Sequence, residues 1–128
     1  MTMQLYHFDR DKMSRDDLFA VMSGTSNGEG VDLFKRLMES GAYVLVAEIV
    51  GSNPENAWVM TQNGVRTSSW SLEPLEGLKP IGLTGNVGFR SSMVGDIVVV
   101  DGTMHVVDVV GFCEIGPFEP QPEQVLGT

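Results

Sequence analysis

Two valine-rich segments joined by Asp101 and Gly102 constrain the fold of this chain more than any other feature. Residues 96–100 (DIVVV) and 104–110 (MHVVDVV) have the β-branched composition that is typical of strands. An Asp-Gly pair between two such runs favours a two-residue turn, because both turn positions need a positive φ. The sequence therefore predicts a β-hairpin in the last third of the chain.

Further strands and helices are predicted upstream of this hairpin. Residues 5–8 (LYHF) favour a short opening strand, and residues 42–50 (AYVLVAEIV) are almost entirely apolar, as in a central strand. A first helix is predicted to begin after Ser14, a good capping residue. A second helix covers residues 31–39, where the apolar positions form one stripe, and a third lies within residues 51–64.

These elements predict one α+β domain over residues 1–115, with a small mixed or antiparallel sheet of about four strands and three helices packed on one face. Residues 65–89 contain four glycines and two prolines and predict a long loop. Residues 116–128 contain three prolines and predict a C-terminal tail.

The charge balance restricts the partners of the chain. Seventeen acidic and eight basic residues give a net charge of −9, and residues 67–128 contribute eight acidic and two basic residues, a net of −6. Direct nucleic-acid binding and binding to an anionic membrane both need clustered cations, so neither is expected. The acidity predicts a protein partner with a basic surface; the alternative is that it only keeps the chain soluble.

The sequence predicts no cofactor, no metal site and no catalytic residue. His7 and His105 are the only histidines, and neither has a second ligand at metal-binding spacing. Cys113 is the only cysteine and no G-x-S-x-G motif is present. The single cysteine and the absence of a secretory pattern favour the cytoplasm of a bacterial host.

Five residues are candidate binding residues, and each also has a structural interpretation: Trp70, Arg90, Ser91, Asp96 and Asp108. Trp70 lies in the predicted loop, where it is either an interface residue or an anchor that holds the loop to the core. Arg90 is the only cation in residues 80–128, and we expect it to pair with Asp96 or Asp108 unless it belongs to a binding surface. In the predicted strand, Asp108 occupies a position whose alternate neighbours are apolar. This indicates that the strand is bulged or exposed at an edge there, or else that Asp108 forms an ion pair.

Several segments, spread over most of the chain, resemble a known group of proteins. Residues 90–102 (RSSMVGDIVVVDG) and 105–112 (HVVDVVGF) resemble the YodL-like proteins of bacteriophages and other mobile elements, which carry R-S-x-S-V-G-D, a valine-rich strand, a turn and a second strand ending in G-F. Residues 53–63 and 5–9 are similar to the helix and the opening strand of that group, and Met93 replaces its usual serine. The resemblance implies an accessory protein that binds a host factor, and it implies no particular chemistry.

Three functions are therefore compatible with the sequence. The first is a small acidic phage or mobile-element protein that binds and modulates a host macromolecule, such as a nucleic-acid enzyme or a defence component, without catalysis. The second is a small-ligand-binding protein or enzyme that uses Arg90, Ser91 and Asp96 at a polar site. The third is a self-assembling structural component, a homo-oligomer that pairs through a sheet edge.

Overall fold

The computed structural model describes residues 1–27, 30–63, 69–82 and 88–118, which form an α+β fold around one antiparallel sheet. The strand order is β3-β2-β1-β4-β5-β6. The strands are β1 (Thr2–Phe8), β2 (Tyr43–Val50), β3 (Leu78–Pro80), β4 (Ile97–Val100), β5 (Thr103–Val107) and β6 (Phe112–Pro117). The α-helices are α1 (Arg15–Met22), α2 (Gly30–Glu39) and α3 (Pro54–Met60), and 3-10 helices span Arg10–Lys12 and Gly24–Asn27.

The predicted hairpin is confirmed and forms β4 and β5. The strands pair across a two-residue turn, with Val100 opposite Thr103. Asp101 has a φ of 50° and Gly102 a φ of 77°, the positive values that a type I′ turn requires. Because β4 also pairs with β1, the hairpin joins the C-terminal third of the chain to its first strand.

The described residues contain six strands, where the sequence predicts about four. The predicted strand over residues 104–110 ends at Val107, because the chain turns back at residues 108–111 and adds β6. β3 lies inside the predicted 65–89 loop and is only three residues long. β6 continues past residue 115 to Pro117. The rest of the predicted tail (119–128) and loop residues 65–68 and 83–87 lie outside the described residues.

The three predicted helices are confirmed, and side-chain caps explain where two of them begin. The Ser14 hydroxyl accepts the N–H of Asp17 at 3.0 Å at the start of α1. The Asn53 side-chain oxygen accepts the N–H of Glu55 at 3.0 Å at the start of α3. Each cap satisfies an N–H group that has no partner inside the helix.

The prediction that all three helices pack on one face is wrong, because the sheet has an apolar core on each face. α1 and α2 cover one face, and α3 with the Trp70 segment covers the other. The first core contains Tyr6, Phe8, Ala20, Val21, Leu33, Phe34, Leu37, Met38, Ile97, Val99 and Val106, among others. The second contains Met3, Leu5, Val46, Ala47, Ile49, Ala57, Trp70, Leu78 and Val98. Central strands buried on both sides are apolar at successive positions, which is why β4 reads as a continuous valine run.

Gly95, at the turn before β4, is where we expect the fold to be most sensitive to an added methyl group. Its φ is +98°, and a Cβ there would overlap the Val21 side chain and lie 2.8 Å from the Val21 carbonyl oxygen. We predict that Gly95→Ala lowers the free energy of unfolding by about 3 kcal/mol, combining backbone strain with a steric clash. Urea unfolding measures this loss.

Gly102→Ala is the matched control. Gly102 also has a positive φ of +77°, but no atom lies within 4 Å of a Cβ built there. Only backbone strain is expected, a loss of about 1 kcal/mol. Equal losses in the two variants would show that α1 can move away from the turn at no cost.

Candidate functional site

A buried carboxylate, Asp96, lies immediately before β4 and is the centre of a group of buried polar side chains. Its side chain is fully buried. Its oxygens accept hydrogen bonds from Nη1 and Nη2 of Arg90 at 2.7 and 2.8 Å, from the N–H of Phe8 at 3.0 Å and from the N–H of Met93 at 2.8 Å. A buried charge is tolerated only when it is paired and hydrogen-bonded, and Asp96 meets both conditions.

Arg90 uses its guanidinium group inside the protein. Nη1 donates to Asp96 and to the carbonyl of Ser91 at 3.0 Å, while Nη2 donates to Asp96 and to the carbonyl of Phe8 at 3.3 Å. The guanidinium carbon also lies 4.5 Å from the centroid of the Phe8 ring. All four terminal N–H donors therefore have protein partners. The expected ion pair of Arg90 is confirmed, and its partner is Asp96.

A chain of three side chains adjoins this ion pair and determines the tautomer of His7. Thr61 donates its hydroxyl proton to the Ala57 carbonyl at 2.7 Å, so its oxygen accepts the Ser92 hydroxyl, which lies 2.7 Å away. Ser92 must then accept a proton from His7 Nε2, at 3.0 Å. The hydrogen-bond directions thus assign the neutral Nε2–H tautomer to His7. We call His7, Thr61, Arg90, Ser92 and Asp96 the Asp96 cluster.

Burial keeps His7 neutral. Removal from water lowers the pKa of His7 from 6.5 to about 4; the negative charge of Asp96 opposes this shift and the positive charge of Arg90 adds to it. Nε2 of His7 also lies 3.7 Å from an Asp96 oxygen. The same ring nitrogen therefore faces both Ser92 and Asp96, and the serine is buried. A Ser-His-Asp triad needs the two ring nitrogens to face different partners, so this cluster is not one.

The segment that carries Arg90 is fixed to the loop and helix beside it. The indole N–H of Trp70 donates to the Arg90 carbonyl at 2.8 Å, and the Ser91 hydroxyl accepts the N–H of Asn63 at 2.7 Å. Asn63 also accepts the N–H of Trp70 at 2.9 Å and donates to the Phe89 carbonyl at 3.1 Å. These contacts fix the position of the Arg90 backbone, from which the side chain extends to Asp96.

The structure brings four of the five candidate residues together and leaves one apart. Arg90 and Asp96 form the ion pair, Ser91 is half-buried beside them, and Trp70 is buried against the second core. Trp70 thus has the position of an anchor that holds the loop to the core. The carboxylate of Asp108 makes no bond to the other four and contacts Thr25 instead.

Asp108 follows the end of β5 and bonds to the 3-10 helix after α1. Its carboxylate accepts both the hydroxyl and the N–H of Thr25, and the N–H of Val109 at 2.8 Å. Burial alone would raise the pKa of Asp108, but these hydrogen bonds together lower it. A Cβ on Gly24 would overlap the same carboxylate, so the two segments are in close contact. Asp108 lies after the end of β5, and its carboxylate makes these hydrogen bonds. Together these two facts explain why a polar residue occupies a position that the strand pattern predicts to be apolar.

Sequence reasoning missed His7, Thr61 and Ser92 as members of one cluster. A signal for His7 existed, since it follows Met3 and Leu5 at alternate positions of β1 and so shares their buried face. Thr61 and Ser92 carry no such signal, because their contact joins residues that are 31 positions apart. Only the packing of α3 beside β4 brings them together.

A pocket of about 410 Å³ opens beside the cluster. Its apolar wall includes Val44, Val46, Phe89 and Met93, and its polar lining includes Arg10 and Arg90. Within the described ranges, no group of three or more His, Cys, Asp or Glu residues could hold a metal ion. None of the helices described is both long and apolar enough to cross a bilayer.

Comparisons with known protein families, curated proteins and solved structures give no match to this chain. The resemblance of residues 90–112 to YodL-like proteins therefore stays a prediction.

Arg90→Met tests how much the fold depends on the buried ion pair. The change keeps a long side chain over Phe8 but leaves Asp96 buried without its cation. We predict a loss of about 3 kcal/mol in the free energy of unfolding, near the lower limit for a broken buried pair because Arg90 is 36% exposed. Arg36→Met is the control, since Arg36 pairs with Asp17 at the surface and should cost less than about 1 kcal/mol. Similar losses in urea unfolding would contradict a central role for Asp96.

His7 should make the protein less stable in acid. Between pH 6.5 and about 4 the unfolded chain binds a proton at His7 that the folded chain excludes. The contribution of neutral His7 to the free energy of unfolding is therefore complete above pH 6.5. It is lost as the pH falls towards 4, by about 3 kcal/mol in all. We predict that His7→Gln, which keeps an N–H near Ser92, flattens the unfolding free energy in this window. Parallel pH profiles of the two proteins would show that His7 protonates freely in the fold.

Proposed function

We propose that this chain is a small acidic protein of a bacteriophage or mobile element that binds and modulates a host macromolecule without catalysis. The observation that supports binding most directly is a group of exposed apolar side chains on two segments that contact each other. Phe19 is 77% exposed and Val110 is 88% exposed, and Met22 and Val109 beside them in sequence are also exposed. We call these four residues the Phe19 patch. Clustered exposed apolar residues on a soluble domain mark interaction sites.

The two halves of the Phe19 patch come from distant parts of the chain. Phe19 and Met22 lie one turn apart on α1, and Val109 and Val110 form the bend between β5 and β6. The bonds between Thr25 and Asp108 join the segments that follow and precede them. A surface that is held in place before binding loses little conformational entropy when a partner docks, which favours affinity.

The charge of the protein supports the kind of partner proposed. The chain has a net charge of −9, and Asp16 is exposed on α1 three residues before Phe19. A partner surface with an apolar centre and basic residues around it would complement this arrangement. Such a surface fits the nucleic-acid enzyme or defence component expected from the sequence.

The other two functions receive less support from the geometry. The four terminal N–H groups of Arg90 already have protein partners and Asp96 is fully buried, so this pair offers few free polar groups to a substrate. Among the described strands, the sheet ends at β3 and β6. β3 is three residues long and contains Lys79 and Pro80, and β6 contains Glu114 and Pro117. Charges and prolines disfavour pairing through such edges.

Affinity capture from a bacterial host lysate, followed by mass spectrometry, tests the proposal. We expect the wild type to retain a specific host protein and Phe19→Ser with Val110→Ser to retain at least tenfold less of it, because both apolar contacts are lost. The control is Val59→Ser with Leu75→Ser, which removes two exposed apolar side chains elsewhere. All variants should keep the wild-type melting temperature.

Capture that is lost equally in both double variants would indicate nonspecific hydrophobic adsorption and would contradict the proposal. Undiminished capture by the Phe19→Ser, Val110→Ser protein would show that the binding surface lies elsewhere. Trp70→Ala is not a suitable variant, because Trp70 is buried and its loss would disturb folding.

A further inference from the structure

The pocket beside the Asp96 cluster has an apolar wall that the fold leaves uncovered. Val44 belongs to β2 and lies opposite the buried His7 in β1. β3 pairs only with Ala47–Ile49 of β2, so no described strand pairs with Val44 on its other side, and its side chain is 41% exposed. Because Val44 also lines the pocket, the pocket opens directly onto this end of the sheet.

The other walls of the pocket are held in place by the surrounding structure. The Phe89 ring lies 5.7 Å from the Trp70 ring and 6.5 Å from the His7 ring. The N–H of Phe89 donates to the Ser71 hydroxyl at 2.8 Å, and the N–H of Met93 donates to Asp96. A pocket of about 410 Å³ with fixed apolar walls is within the size range of small-molecule sites.

The charged groups that line the pocket differ in their availability. Arg90 is neutralised by Asp96 and has used its terminal N–H groups. Asp9 caps the 3-10 helix through the N–H of Asp11 at 3.0 Å. Arg10 is exposed, and no ion pair or hydrogen bond of its side chain is found within the described residues. Its guanidinium group is therefore the lining group most able to bind a ligand, and it selects an anion.

We infer that this pocket binds a small amphiphilic anion, with its apolar body against Val44 and Phe89 and its carboxylate at Arg10. Burial of the apolar body supplies most of the affinity, and the single exposed guanidinium supplies a smaller preference for charge. The site is distinct from the Phe19 patch and does not depend on the proposed host partner.

Octanoate, octanol and octylamine are suitable probes because they share an apolar chain and differ in charge. Trp70 fluorescence can follow their binding in a Trp58→Phe background, since the Trp70 ring contacts the Phe89 wall of the pocket. We expect octanoate to bind saturably with a dissociation constant of about 1 mM or tighter. Octanol should bind about threefold more weakly and octylamine more weakly still.

Two pairs of variants locate the site. Arg10→Gln should weaken octanoate binding about threefold and leave octanol unchanged, whereas Lys12→Gln, on the same 3-10 helix but not lining the pocket, should change neither. Val44→Asp should weaken octanoate binding at least tenfold, because it places a carboxylate on the apolar wall. Val59→Asp, at an exposed position of α3, should leave it unchanged.

The inference is overturned by any of three results. Octanoate that shows no saturable binding excludes the site, and octylamine that binds as tightly as octanoate excludes anion selection. Octanoate binding that persists in Val44→Asp places the ligand elsewhere. None of these results bears on capture of a host protein by the Phe19 patch, so the two proposals fail independently.

Discussion

The buried ion pair between Asp96 and Arg90 connects segments of this fold that are more than 80 positions apart in sequence. Asp96 stands at the start of β4, receives the N–H of Phe8 at the end of β1, and is neutralised by the side chain of Arg90. Arg90 in turn donates to the Phe8 carbonyl. A carboxylate without water must have all of these partners, so its burial requires β1, β4 and the preceding segment to adopt one arrangement.

The same requirement explains why the Asp96 cluster is polar and yet directs its polar groups at one another. A catalytic group needs access to a substrate and unused donors or acceptors. Ser92 and Asp96 are buried, His7 is neutral and its Nε2–H is directed at Ser92, and the terminal N–H groups of Arg90 are occupied. The cluster determines the position of the pocket wall, and the surface features that can meet other molecules lie around it.

Local sequence signals predicted the elements of the fold well. The Asp101-Gly102 turn, the Ser14 cap of α1 and the stripe of α2 all depend on residues within a few positions of each other, so they could be recognised without tertiary information. β3 and β6 were missed for the opposite reason. β3 is three residues long and is a strand only because it pairs with β2, and β6 begins only because the chain turns back at residues 108–111.

Sequence patterns alone predict the α+β class, the hairpin and the helix starts, and the charges alone give the acidity of the chain and an expected acidic partner for Arg90. Each of these follows from local backbone preference or from a charge count. Tertiary packing selects Asp96 as that partner, brings His7 to Ser92 across 85 positions of the chain, and places helices on both faces of the sheet. It also decided that Trp70 is buried while Phe19 and Val110 are exposed. Burial depends on which distant segments pack together, and no local pattern encodes that choice.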